Sequence, residues 1–85
     1  MLSVAPTLTI YSTTWCGPCV RLKRALDQVG IDYTIVDIED DPAAAALVME
    51  ANRGMRLVPT VELPDGTLLG NPTLDEIQRA LGMPA

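Results

Sequence analysis

The chain has no histidine and no phenylalanine, and its 85 residues include only two cysteines, one tryptophan and two tyrosines. Without histidine it lacks the side chain that most often serves as a general base near neutral pH and as a nitrogen ligand to metals. Two cysteines make up half of the roughly four ligands a structural zinc site takes, so no zinc site closes within one chain and no bound metal is expected. Positive charge is also scarce: six Lys and Arg stand against eleven Asp and Glu, a net charge of -5. That sign disfavours nucleic acid and anionic membranes as partners. No apolar run is long enough to span a bilayer. Met1 to Pro6 lack the basic and apolar regions of a signal peptide. A cytoplasmic location is expected, and in that reducing compartment a close cysteine pair is catalytic more often than structural.

With 48% hydrophobic residues the chain has enough apolar material for a packed core, which Leu, Ile, Val, Ala and Met must build in the absence of Phe. Its length fits one domain over residues 1–85, expected to act as a monomer.

Both cysteines lie in Trp15-Cys16-Gly17-Pro18-Cys19. Two intervening residues let the sulfurs meet in a small disulfide ring, and the motif is a redox dithiol where a strand leads into it and a helix leads out. Leu8-Thr9-Ile10-Tyr11 alternates as a strand does, while Leu22, Ala25, Leu26 and Val29 recur at helical spacing before Gly30. Cys16 therefore belongs at a helix N-terminus, where unpaired backbone N–H groups and the positive dipole end favour thiolate over thiol. It is the expected nucleophile, and Cys19, one turn deeper on the same face, the resolving thiol. Pro18 suits the first helical turn, which does not need its missing N–H. Two other readings stay open: an iron-sulfur cluster shared between two copies of the chain, and a pair of inert buried cysteines.

Taken in order, a lead-in over residues 1–6 precedes a first strand at about 7–11 and a helix at about 17–29, with Leu22, Leu26 and Val29 inward. Tyr33 to Ile38 form a second strand. Asp41 caps a helix that Pro42 opens and Ala43 to Ala51 continue, with Leu47, Val48 and Met49 available to the core. The acidic run 39–41 serves that cap and the dipole. Pro59 heads a third strand, and Pro64-Asp65-Gly66-Thr67 turns it into a fourth, antiparallel one. Thr73 and Glu76 form a capping box for a last helix that buries Leu74, Ile77 and Leu81. The order β-α-β-α-β-β-α gives an α/β fold: a four-stranded mixed sheet with helices on both faces.

That order, with Trp15-Cys16-Gly17-Pro18-Cys19 after the first strand and Val58-Pro59-Thr60 before the third, resembles the thioredoxin superfamily in its minimal, glutaredoxin-sized form. Within it the chain is similar to the mycoredoxins of actinobacteria at Tyr11, Arg21-Leu22-Lys23, Val36-Asp37-Ile38-Glu39, Asn52, Arg56, Asp65-Gly66 and Asn71-Pro72. The resemblance implies that Cys16 and Cys19 are catalytic and that Trp15, Gly17, Pro18, Arg56, Val58, Pro59, Asn71 and Thr73 bind substrate. It further implies a cis Pro59, with the Val58 backbone pairing to substrate like an added strand. The pattern departs from glutathione-using glutaredoxins, which carry a lysine at the place of Thr13 and Gly-Gly at the place of Gly70-Asn71. Gly17-Pro18 is the thioredoxin dipeptide, where mycoredoxins more often have tyrosine at the second place.

The implied activity is thiol-disulfide exchange on mixed disulfides between proteins and a small thiol, with no bound cofactor. Mycothiol, recycled by mycothiol reductase, is the expected co-substrate, and S-thiolated or disulfide-containing proteins are the expected partners. A thioredoxin-like dithiol reductase fed by thioredoxin reductase is the enzyme alternative. Five of the six basic residues, Arg21, Lys23, Arg24, Arg53 and Arg56, flank the two site segments; they are either solvated surface residues or a cradle for the carboxylate of a small anionic thiol, with Arg56 the best placed to hold it.

Overall fold

In a computed structural model, residues 7–82 are described; the lead-in and signal-peptide readings at residues 1–6 lie outside them. The elements are β1 (Leu8–Ser12), α1 (Gly17–Val29), β2 (Tyr33–Asp37), α2 (Pro42–Ala51), β3 (Thr60–Glu62), β4 (Leu68–Gly70) and α3 (Leu74–Ala80). The sheet runs β2-β1-β3-β4, with β1 and β2 parallel and the other pairs antiparallel. This is the expected order and the expected mixed sheet.

Strand alternation divides the interior in two, because successive side chains point to opposite faces. Leu8 and Ile10 of β1 and Val61 of β3 turn to one face, where Leu22 and Leu26 of α1 and Ile77 of α3 cover them. Tyr11 turns to the other face, against Ala44, Ala45 and Val48 of α2. Helices thus lie on both sides of the sheet. The alanines of α2 bring that helix close to the strands, so Val48 is buried while Leu47 faces outward at 36% exposed.

Val29, expected inward, is 42% exposed. The reason is the end of α1: Gly30 takes a left-handed φ of 74° and Ile31 donates its N–H to the Leu26 carbonyl at 3.0 Å. This reversal tucks Ile31 against the core where Val29 would have gone. The β3–β4 turn closes as the Asp-Gly signal implies, with Gly66 at φ 92° and the Thr67 N–H donating to Asp65 Oδ1 at 3.0 Å.

Candidate active site

Cys16 is the N-cap residue of α1, in extended conformation, and its Sγ accepts the Cys19 backbone N–H at 3.1 Å. A side-chain acceptor there satisfies one of the orphan donors of a helix start, so the sequence puts sulfur where a serine or aspartate oxygen usually sits. Cys16 and Cys19 are joined by a disulfide, with Cα atoms 5.3 Å apart. Of the two, Cys16 keeps 4% exposure while Cys19 is fully buried, so an incoming group meets Cys16 first. The loop before them is tight: the Cys16 N–H donates to the Thr13 carbonyl at 3.4 Å. Trp15, at 71% exposed, stands out from it into solvent.

The antiparallel register that sets Tyr11 opposite Thr60 brings the dithiol loop after β1 and the segment before β3 to one end of the sheet. The Val58–Pro59 peptide is cis. The Pro59 carbonyl accepts the Asn71 N–H at 2.7 Å, which joins the β4–α3 loop to the same end. Among the described residues the N–H and C=O of Val58 have no hydrogen-bond partner. A backbone donor and acceptor are thus left unpaired beside the dithiol.

A groove of about 320 Å³ runs between the start of α1 and the start of α3, lined by Pro18, Arg21, Leu22, Ala25, Asn71, Pro72, Thr73 and Leu74. It brings Pro18, Asn71 and Thr73 together. Thr73 caps α3, its Oγ1 accepting the Glu76 N–H at 3.1 Å while Glu76 Oε1 accepts the Thr73 N–H at 2.8 Å. Arg56 is exposed on the 53–58 loop and makes no ion pair or hydrogen bond among the described residues.

The sequence names Arg21 among five flanking cations with Arg56 ahead of it, yet the Arg21 Nη1 lies 3.6 Å from where a side chain on Gly17 would begin. Its signal was available, since residues four apart share a helix face. Tyr11 lies on the α2 face and donates to Glu62 Oε1 at 2.7 Å. Burial, then the hydrogen bond and negative charge of Glu62, then Asp41, push its hydroxyl up to about 12. Among the described residues no three metal-ligating side chains cluster, and no helix is long and apolar enough to cross a membrane.

The family model for glutaredoxin matches residues 8–68. A protein of Mycobacterium tuberculosis H37Rv that carries the glutaredoxin name is 50% identical over 78 residues, covering 92% of this chain and 93% of that one. Mycoredoxin 1 of Corynebacterium glutamicum is 41% identical over 70 residues, covering 82% and 86%. Among solved structures, the buckwheat glutaredoxin-glutathione complex superposes with a TM-score of 0.64 at 28% identity, covering 91% of this chain and 71% of that one. The glutaredoxin of Methanosarcina mazei Go1 shares the fold with a TM-score of 0.75 at 22% identity, covering 94% and 85%. The chain belongs to the glutaredoxin family, among its actinobacterial mycoredoxin-type members, and is a thiol-disulfide oxidoreductase.

Proposed function

We propose that the protein reduces mixed disulfides between cytoplasmic proteins and mycothiol, with Cys16 as nucleophile. The observation that carries this is the capping geometry: Cys16 Sγ accepts a backbone N–H at the start of a thirteen-residue helix and is the more exposed sulfur. The reduced Cys16 thiolate attacks the small-thiol sulfur of the mixed disulfide. The disulfide bond between Cys16 and the small thiol forms as the S–S bond between the small thiol and the protein's cysteine breaks, and the protein leaves as thiolate. A second small-thiol thiolate then attacks the bound one, restoring Cys16 and releasing the small-thiol disulfide, which mycothiol reductase returns to thiol. The unpaired Val58 backbone, held at the cis Pro59, pairs with substrate as an added strand would. Trp15, Gly17, Pro18, Asn71 and Thr73 border the bound thiol, and Arg56 donates hydrogen bonds to it.

Mycothiol is favoured over glutathione by Thr13. Its hydroxyl is buried and has no hydrogen-bond partner among the described residues, and it provides no cation where glutathione-using relatives place a lysine. A second reading has its own support. The disulfide and Gly17-Pro18 suit a dithiol cycle in which Cys19 displaces the leaving group from Cys16 and thioredoxin reductase reopens the pair. NADPH consumption on a mycothiol-protein mixed disulfide separates the two: turnover only with mycothiol and mycothiol reductase supports the first, and turnover only with thioredoxin reductase refutes it.

A further inference from the structure

The unpaired Val58 edge is useful to a substrate only if it is held still, and the loop that leads to it is tied by its own backbone only at its start, where the Gly54 N–H donates to the Met49 carbonyl at 2.6 Å and the Met55 N–H to the Asn52 carbonyl at 3.1 Å. Arg53, Gly54, Met55 and Arg56 are all exposed. The support comes from Asn52, just past the end of α2. Its Nδ2 donates to the Val48 carbonyl at 2.7 Å and to Thr60 Oγ1 at 3.2 Å. The Thr60 hydroxyl in turn donates to the Leu57 carbonyl at 2.6 Å. A hydrogen-bonded chain therefore runs from the last turn of α2 to the residue immediately before Val58. On the far side the Pro59 carbonyl is fixed by Asn71. Val58 is clamped at both neighbours while its own donor and acceptor stay unpaired.

The same side chain lies close against the end of β4. A methyl group at Gly70 would lie 2.5 Å from Asn52 Oδ1 and 2.8 Å from Leu57 Cδ2. Asn52 thus joins α2 and the 57–60 segment through one amide packed against Gly70 of β4, and Thr60, itself fully buried, relays it.

We infer that Asn52, acting through Thr60, is a positioning residue that sets the Val58 backbone for pairing with the substrate strand. This rests on the reading that substrate docks along Val58. It does not depend on whether mycothiol or thioredoxin reductase supplies the electrons.

The test is the single-turnover reaction of the reduced full-length protein with a disulfide-bonded peptide, read as half-saturation and maximal rate, beside the rate of Cys16 alkylation by iodoacetamide. Iodoacetamide is too small to use a strand edge. Asn52→Ala and Thr60→Val should each raise the half-saturating peptide concentration roughly fivefold to tenfold, the equivalent of one or two substrate hydrogen bonds. Maximal rate and alkylation should stay within twofold, and Thr60→Ser, which keeps the hydroxyl, should behave as wild type. Gly70→Ala should reproduce the defect by displacing the same amide. Unchanged half-saturation in Thr60→Val overturns the inference. So does a parallel loss of alkylation, or a Thr60→Ser variant as impaired as Thr60→Val, since both mark a general structural defect. Thr60→Val preserves shape, so it carries the test if Asn52→Ala does not fold. A donor-specific failure of the mycothiol reading leaves this single-turnover assay intact.

Discussion

Replacing Thr73 by Ala tests how much of the groove depends on a single cap. The helix it starts, α3, has seven residues and one fully buried side chain, Ile77, so propensity and packing alone support it weakly. Thr73 Oγ1 takes the Glu76 N–H, and Glu76 returns a bond to the Thr73 N–H. An N-cap replaced by Ala costs about 0.5–2 kcal/mol. Both bonds here are solvent-exposed, so water replaces part of what is lost and the cost falls in the lower half of that range, at about 0.5–1 kcal/mol. The unfolding entropy is about 2.1 cal/mol/K per residue, or roughly 0.18 kcal/mol/K for this chain, so Tm should drop by roughly 3–6 °C. Thermal unfolding of the oxidised protein, followed by far-UV circular dichroism, measures it, with Thr73→Ser as the control that keeps the cap. A drop under about 1 °C for Ala, or an equal drop for Ser, would refute the reasoning.

Cys16→Ser should abolish turnover on a mixed disulfide while Cys19→Ser retains the small-thiol reaction; a dead Cys19→Ser enzyme would establish the dithiol cycle instead. Ile77→Ala should cost about 2–5 kcal/mol in urea unfolding, because it opens a cavity in the core beneath α3, where Ile77 is the helix's one fully buried side chain. The Tyr11 hydroxyl titrates at about 12 in the folded state against an ordinary 10.0. The stability it contributes is therefore whole below pH 10 and lost as pH rises toward 12. Tyr11→Phe should flatten that part of the alkaline decline, and an unchanged slope in urea titrations across the interval would count against it. Anaerobic reconstitution with iron and sulfide should leave the protein colourless; a visible absorption band would support the cluster reading.

The opening of the fold is legible in the sequence because each local signal agrees with the next. The alternation before Trp15, the helical spacing of Leu22 and Leu26, and the Gly30 stop all specify one strand-loop-helix unit, and the two cysteines fall at its joint. The Asp65-Gly66 turn and the Thr73–Glu76 box are equally local. What the sequence conceals is decided between distant segments. Val29 has the right period for the core, yet the reversal at Gly30 places Ile31 there instead. Leu47 is the larger side chain, but α2 approaches the sheet through Ala44, Ala45 and Val48. Arg56 stands out as a cation near Pro59, whereas the groove beside Pro18 is lined by Arg21. Asn52 reads as the residue after a helix and as one position of the mycoredoxin likeness; its hydrogen bond to Thr60 and its closeness to Gly70 arise from tertiary placement and leave no periodic trace.

The central place of β1 divides the molecule's inheritance. Its parallel partner β2 and the helix between them belong to the first half of the chain, which holds both sulfurs. Its antiparallel partner β3 belongs to the second half, with Val58, the β4 turn and the loop at Asn71. One strand is therefore the seam between the segment that carries both sulfurs and the segment that carries the unpaired Val58 backbone. A chimera that takes its first half from this protein and its second half from a relative should keep this protein's chemistry and adopt the relative's clientele, provided the β1 face that meets β3 is retained.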